Sequence, residues 1–195
     1  MDDSELTSPD RVRTAMAAIS RSDFLPPELQ DRAGEDRALP IGYDSTNSQP
    51  STVRLMLQQL AVRPGHRVLD VGSGSGWTTA LLGTLAGPNG HVVGVEIVPE
   101  LITRARAALG RYDLPGVRIA EAVPSRLGAP DDGPWDRILV SADAGEVPAE
   151  LVDQLADGGR MVLPVDGAMT VVVRTGNSVR TTRVPGRWMF VPLQQ

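Results

Sequence analysis

Apolar positions switch between two periods along the chain, and the switches outline its elements. Ser8-Pro9-Asp10 offers a capping hydroxyl, a proline at the first helical position and an acid in the first turn, which predicts a helix start. Val12, Ala15, Met16 and Ile19 follow at i, i+3, i+4 and i+7, and Phe24-Leu25-Pro26-Pro27 ends the pattern. Residues 28–50 hold no sustained period and carry Gly34, Pro40, Gly42, Asn47 and Pro50. A long irregular stretch inside a compact chain is more often functional than filler. Helical spacing returns from Ser51, with Val53, Met56, Leu57 and Leu60 on one side.

Next, Arg67-Val68-Leu69-Asp70-Val71 predicts a buried strand that runs into the turn Gly72-Ser73-Gly74-Ser75-Gly76, and the residues from Trp77 to Ala86 return to helical spacing. Further strands are predicted over 91–96, 117–120, 136–141 and 160–164, with helices from Pro99 and over 148–156 between them. Residues 169–175 and 178–184 flank Gly176-Asn177 and read as a hairpin. The order βαβαβ–βαβ–ββ predicts an α/β fold: a mostly parallel sheet with antiparallel strands at its C-terminal edge, preceded by an N-terminal helical extension. With 195 residues and no repeat or linker, a single domain over 1–195 is expected: helix and loop over 1–50, a core over 51–165 and closing strands over 166–195.

Composition narrows the chemistry mostly by exclusion. Cysteine is absent, so no disulfide framework or thiolate metal site is available, and two histidines make no His-rich metal site; no metal is expected. The start, Met1-Asp-Asp-Ser-Glu-Leu, is acidic where a signal peptide is basic, and no apolar run reaches membrane-spanning length, so a cytoplasmic, monomeric protein is expected. A net charge of −5, with arginines scattered along the chain, argues against nucleic acid as a partner. His66 and His91 each begin a strand, at the sheet edge opposite the glycine turn, and are expected on the surface.

The glycine turn admits several readings that its spacing separates. A phosphate-cradling loop needs GxxxxGK[ST], and the chain has no lysine. A GxSxG nucleophile elbow fails, because neither Ser73 nor Ser75 has glycines at that spacing. A GxGxxG dinucleotide turn needs glycine where Trp77 stands. Asp70 two residues before a GxGxG turn resembles the first motif of S-adenosylmethionine-dependent methyltransferases; the alternative is a structural turn that binds nothing. Glu96 ends its strand about two dozen residues beyond the first glycine, where an acid accepts both ribose hydroxyls, unless it merely caps the helix at Pro99. Asp143 stands before a helix and fits a cap better than a pocket acid.

Residues 36–50, DRALPIGYDSTNSQP, closely resemble the signature of protein-L-isoaspartate O-methyltransferases, approximately LPIGxGQTISQP, with Leu39-Pro40-Ile41-Gly42, Thr46, Ser48, Gln49 and Pro50 matching. The likeness continues in Arg21-Ser-Asp-Phe-Leu-Pro26, the turn at 69–76, Glu96, residues 158–165 and the tail Phe190-Val191-Pro192-Leu193, and so spans nearly the whole chain in order. It implies a Rossmann-like methyltransferase that uses S-adenosylmethionine to esterify the α-carboxylate of isoaspartyl residues in damaged peptides or proteins. Carried over by position, the resemblance implies that Asp70, Gly72, Ser73, Gly74, Gly76, Glu96, Ile97, Glu121 and Ala122 bind the cofactor. Ser48 matches the family's active-site serine, and Thr46, Ser48, Gln49, Trp77, Val191 and Pro192 are implied to meet the substrate.

The departures lie in two places. The signature's GQTIS is Asp44-Ser45-Thr46-Asn47-Ser48 here, and the family's GDG after the third core strand is Ala120-Glu121-Ala122. An inward Asp44 would repel a carboxylate, so it faces solvent or the substrate preference differs. Two alternatives stand beside repair: esterification of a normal aspartate in a specific peptide to form aspartimide, and a cofactor-binding homologue without transferase activity.

Overall fold

In the computed structural model, which describes residues 6–123 and 125–194, the expected order of elements is realised with one addition. Helix α1 (Pro9–Ala18) starts at Pro9 without a side-chain cap bond from Ser8. The stretch 28–50, expected to be irregular, contains a 3-10 turn (Pro27–Arg32) and a small hairpin of β1 (Leu39–Gly42) and β2 (Ser45–Asn47), which no period of two announced in so few residues. The hairpin's tip, Tyr43-Asp44, has positive φ at both residues, the geometry a two-residue hairpin turn demands. Helix α2 (Pro50–Leu60) follows at once, burying Val53, Met56, Leu57 and Leu60 as their spacing required.

The rest builds a seven-stranded sheet from β3 (Arg67–Val71), β4 (His91–Glu96), β5 (Val117–Glu121), β6 (Trp135–Val140), β7 (Leu155–Val165), β8 (Ala168–Thr175) and β9 (Ser178–Arg183). Their spatial order is β5-β4-β3-β6-β7-β8-β9, with the first five parallel and the last two antiparallel. Between them run α3 (Trp77–Ala86), α4 (Pro99–Leu109) and α5 (Ala149–Asp153). Helix α5 stops short of the expected 148–156 because Leu155, fully buried, already pairs with Trp135 at the start of β6. The register then shifts before Arg160 meets Arg137, so the expected strand over 160–164 is only the regular part of a longer β7.

The period of two sorts side chains onto two faces. Val68 and Val92 pack with α1, α2 and α3, while Leu69, Val71, Val93, Val95, Ile138 and Val140 pack with Leu151 of α5, Leu127 and the tail residue Leu193. Trp135, wholly buried, anchors that second face. The hairpin has its own small core, in which Leu39 and Ile41 meet Leu25 and Leu101 of α4. Helix α1 is docked by Arg11, whose guanidinium donates to the carbonyls of Val62 and Leu85.

At Gly94, in the middle of β4, the sheet has no room for a side chain. A Cβ there would lie 2.7 Å from Ile119 Cδ1 and Thr79 Oγ1 and 2.9 Å from Ser73 Cβ. Gly94→Ala is therefore expected to lower stability by about 1–3 kcal/mol, the range for overpacking a closed core. Equilibrium urea unfolding checks this, and an unchanged midpoint would show that α3 yields freely.

Candidate active site

The parallel strands set the position of the site, because their C-terminal ends leave a crevice where ligands bind in open α/β sheets. Here that crevice is a cavity of about 550 Å³, within the size range of small-molecule sites. Its floor is made by the strand ends: Val71-Gly72 and Gly74 after β3, Val95 to Val98 after β4, Ala122-Val123 after β5, and Ser141-Ala142 after β6. Asp44, Ser45 and Thr46 of the hairpin and residues 191–194 of the tail complete the wall.

Beneath the turn lies Asp70, with no exposure to solvent. Thr78 and Thr79 of α3 each donate to its Oδ2 at 2.7 Å, and Ser141 after β6 donates to Oδ1 at 3.1 Å. Burial, with a smaller push from the charge of Glu96, raises the carboxyl to about 6 against the pull of those three hydroxyls. Asp70 thus shapes the turn from below and does not reach the cavity.

The turn itself uses its donors internally. The N–H groups of Gly72 and Ser73 both bond to Val95 O at 3.0 Å, Gly76 N–H bonds to Ser73 O at 2.8 Å, and Gly74 N–H bonds to Glu96 Oε2 at 2.8 Å. Gly72, Gly74 and Gly76 all have positive φ, the conformation that lets the chain double back this tightly. A Cβ on Gly76 would lie 3.0 Å from that of Ala105, so this glycine serves the approach of α4. Ser73 is buried against Gly94, and its Oγ has no hydrogen-bond partner.

Glu96 is the buried acid at the cavity wall. Its Oε2 accepts from Gly74 and its Oε1 from Ile97 N–H (2.8 Å) and Val98 N–H (3.0 Å), so three backbone donors hold the carboxylate rigidly at the wall. Around it stand Ile97, Val98, Ala122, Val123 and Leu127. An acceptor of fixed orientation beside apolar surface suits a nucleoside, whose ribose offers two hydroxyl donors and whose base offers a flat face. The residues present therefore fit S-adenosylmethionine.

Other expected site residues fall in different places. Gly72, Gly74, Glu96, Ile97, Ala122, Thr46, Val191 and Pro192 line the cavity. Glu121 is exposed and outside the lining. Trp77 turns into the core, its indole N–H 3.4 Å from Ile19 O and the Arg21 guanidinium over its ring, so it supports the site without facing it. Gln49 donates to Asp36 Oδ2, outside the lining residues. Ser48, half-buried, lies just past Thr46, with its carbonyl held by Arg21 at 3.1 Å. Asp44 contributes to the cavity rim yet is exposed to solvent.

Asp143 does not cap α5, whose N-cap is Pro148 without a side-chain bond; it acts as a pin between turns. Burial pushes its carboxyl up, and backbone donors at Gly145, Gly167 and Asp166 outweigh that and hold it below the ordinary range. Its own backbone pairs with the tail through Asp143 N–H to Val191 O and Leu193 N–H to Asp143 O, both 2.8 Å, and this places Val191-Pro192 over the cavity. Arg126, Leu127, Gly128, Pro130, Gly133, Pro134, Glu150, Asp153 and Gln154 also line the cavity, although no motif marked them. No group of three metal-binding side chains occurs among the described residues, nor any helix long and apolar enough to cross a membrane.

Comparison with known proteins meets this geometry from outside. A family model described as Protein-L-isoaspartate(D-aspartate) O-methyltransferase (PCMT) matches residues 2–195. A protein-L-isoaspartate O-methyltransferase of Anaeromyxobacter dehalogenans is 51% identical over 191 residues, covering 94% of this chain and 88% of its own. Among solved structures, a protein-L-isoaspartate O-methyltransferase superposes with a TM-score of 0.85 at 26% identity over 95% of this chain, which spans 62% of that longer protein. A beta-aspartate methyltransferase (PCMT) from Plasmodium falciparum, solved in complex with S-adenosyl-L-homocysteine, shares the fold with a TM-score of 0.79 at 24% identity, over 95% of this chain and 90% of that one.

The raised Asp70 carboxyl has a consequence for stability. The folded protein holds this proton up to about pH 6, whereas the unfolded chain releases it near 3.8, so the folded state binds more protons in between and loses stability as pH rises through that window. The loss attributable to Asp70 is about 3 kcal/mol at full extent. Asp70→Asn is expected to lack this component, so the gap between variant and wild type in urea midpoint should change between pH 4 and 6 and stay constant above 7. Parallel pH profiles would show that the site ionises in both states alike.

Proposed function

The chain belongs to the protein-L-isoaspartate(D-aspartate) O-methyltransferase family, and from that premise we propose how its own residues carry the reaction. It is a S-adenosylmethionine-dependent carboxyl methyltransferase that esterifies the α-carboxylate of L-isoaspartyl residues. The observation that carries the residue assignment is that the hairpin 39–47 closes the same cavity that Glu96 and the glycine turn open.

When bound, S-adenosylmethionine supplies an electrophilic methyl group on a sulfonium. Glu96 accepts the ribose hydroxyls, a role supported by its fixed carboxylate, while Gly72 and Gly74 let bare backbone approach and Ile97 and Ala122 flank the base. Asp70, Ser73 and Gly76 act from behind the turn. Glu121, which is exposed, and Gln49, tied to Asp36, take outlying roles at the adenine side and the hairpin base.

An isoaspartyl carboxylate is already a sufficient nucleophile at neutral pH, so the site needs no strong base. Its tasks are to align the carboxylate with the methyl group and to exclude water, because bringing an anion against a cation is favoured as the surroundings dry. Ser48 donates a hydrogen bond that orients the carboxylate, with Thr46 on the cavity wall beside it, and Val191 and Pro192 shield the approach. Asp44, open to solvent at the rim, is screened by water and leaves the carboxylate free to enter.

One domain over 1–195 serves this reaction, with 1–50 as helix and substrate loop, 51–165 as cofactor core and 166–195 as closing strands. A monomer acting on peptides in the cytoplasm, without nucleic acid, completes the proposal, and a net charge of −5 supports a peptide over a phosphate backbone as partner.

Incubation with labelled S-adenosylmethionine and matched isoaspartyl and aspartyl peptides is expected to give base-labile ester on the isoaspartyl peptide. Ester on the aspartyl peptide alone would replace repair with tailoring of a normal aspartate, and cofactor binding without ester on either would leave a binding protein. Ser48→Ala is expected to cut turnover roughly tenfold to a hundredfold, the worth of one hydrogen bond to a charged group, with cofactor affinity nearly unchanged. Isothermal titration with S-adenosylhomocysteine alongside the kinetics separates the two, and a collapse of cofactor affinity would reassign Ser48 to the cofactor.

A further inference from the structure

Asn47 holds a position that neither the fold nor the reaction explains by itself. Where the family signature quoted above has isoleucine, this chain buries an amide whose two ends reach different sites. Its Oδ1 accepts from Arg21 Nε at 2.7 Å, and its Nδ2 donates to Ser75 Oγ at 3.0 Å. Ser75 lies inside the glycine turn, next to Gly74, whose N–H is held by Glu96. Ser48 follows Asn47 directly in the chain.

On its other side Asn47 is backed by a guanidinium with every arm engaged. Arg21 is buried, and its Nη1 donates to the carbonyls of Ala33 (3.2 Å) and Glu35 (2.9 Å), its Nη2 to those of Arg37 (2.8 Å), Asn47 (3.1 Å) and Ser48 (3.1 Å). The same guanidinium stacks over Trp77 at the start of α3. The loop 33–48 is thus fastened as one piece to Arg21, and Asn47 is its hydrogen-bonded tie to the turn. Glu96, Gly74, Ser75, Asn47 and Ser48 form one continuous path of hydrogen bonds and chain from the cavity-wall acid to Ser48.

Resting on the reading under Proposed function, we propose that Asn47 is a positioning residue that couples the two halves of the site. Cofactor held by Glu96 fixes Gly74-Ser75, Ser75 fixes the Asn47 amide, and Asn47 sets the hairpin that presents Thr46 and Ser48 to the peptide. Binding at one half therefore strengthens binding at the other, by linkage and to the same factor in each direction. An isoleucine at 47 has no amide to make this tie.

Hydrogen exchange of residues 39–48, measured with and without saturating S-adenosylhomocysteine, tests the coupling independently of peptide chemistry. Wild type is expected to show about five- to tenfold slower exchange with the ligand. Ser75→Ala and Asn47→Ile should reduce that protection to less than twofold, and Ser75→Thr, which keeps the hydroxyl, should restore it. In steady-state assays the same two variants should raise the KM for an isoaspartyl peptide about five- to tenfold while kcat changes less than twofold. Equal protection in wild type and Ser75→Ala overturns the coupling, as does lost protection with an unchanged peptide KM. Ser75→Ala, at a half-buried turn position, keeps the test open should Asn47→Ile fail to fold. A wild type that methylates no isoaspartyl peptide would defeat the substrate reading instead, and the exchange comparison would still decide whether Asn47 couples the two loops.

Discussion

A carboxylate sealed from water, that of Asp70, joins the elements on which the site stands. Its partners come from α3 and from the end of β6, so one side chain ties three neighbouring pieces at the C-terminal ends of the strands. Burying an acid this deeply costs stability unless donors surround it. The three hydroxyls offset much of that cost and direct it to a purpose, because they fix the angle at which β3 enters the glycine turn. Glu96 repeats the device one strand away, with backbone donors in place of hydroxyls and with one side open to the cavity. Two acids at neighbouring strand ends thus divide the work, one holding the scaffold and the other facing the cavity.

The hairpin side of the cavity is organised by the opposite charge. Residues 33–48 contain little that can bury, and their small core of Leu39 and Ile41 rests on Leu25 and Leu101. What shapes the stretch is the convergence of carbonyls on Arg21, whose planar fork satisfies several acceptors that would otherwise be stranded out of water. A loop ordered by one guanidinium needs no more regular structure than the short hairpin it holds, and this accounts for a segment that lacks a period. Asp143 plays the matching part for the tail, pinning Val191 to Leu193 across the cavity from the hairpin.

The strands and helices were legible in the sequence because each buries one face, and burial writes a period into the residues. Val68, Leu69 and Val71, or Val53, Met56, Leu57 and Leu60, declare their elements without help. The glycine turn and Glu96 were legible because tight turns and strand ends restrict residue type. The hairpin β1–β2 was not, since its strands are three and four residues long and its tip, Tyr43-Asp44, carries no glycine to mark the positive φ. Trp77 misled for a different reason: position next to a ligand turn does not say which way a side chain turns, and a large aromatic at the first helical residue found the core. The lining contributed by Arg126 to Gly128, Pro130, Gly133-Pro134 and α5 lies far in sequence from the glycine turn and meets it only through the sheet order.

The internal bonding of the glycine turn carries one last consequence. Phosphate-binding turns leave their N–H groups free for an anion, whereas here the donors of Gly72, Ser73, Gly74 and Gly76 are already committed to Val95, Ser73 and Glu96. On the cavity side the turn shows Gly72 and Gly74 beside the Glu96 carboxylate, so an acceptor stands next to donors that are already used. A group that donates hydrogen bonds, such as a ribose hydroxyl, therefore suits this wall better than a group that only accepts them.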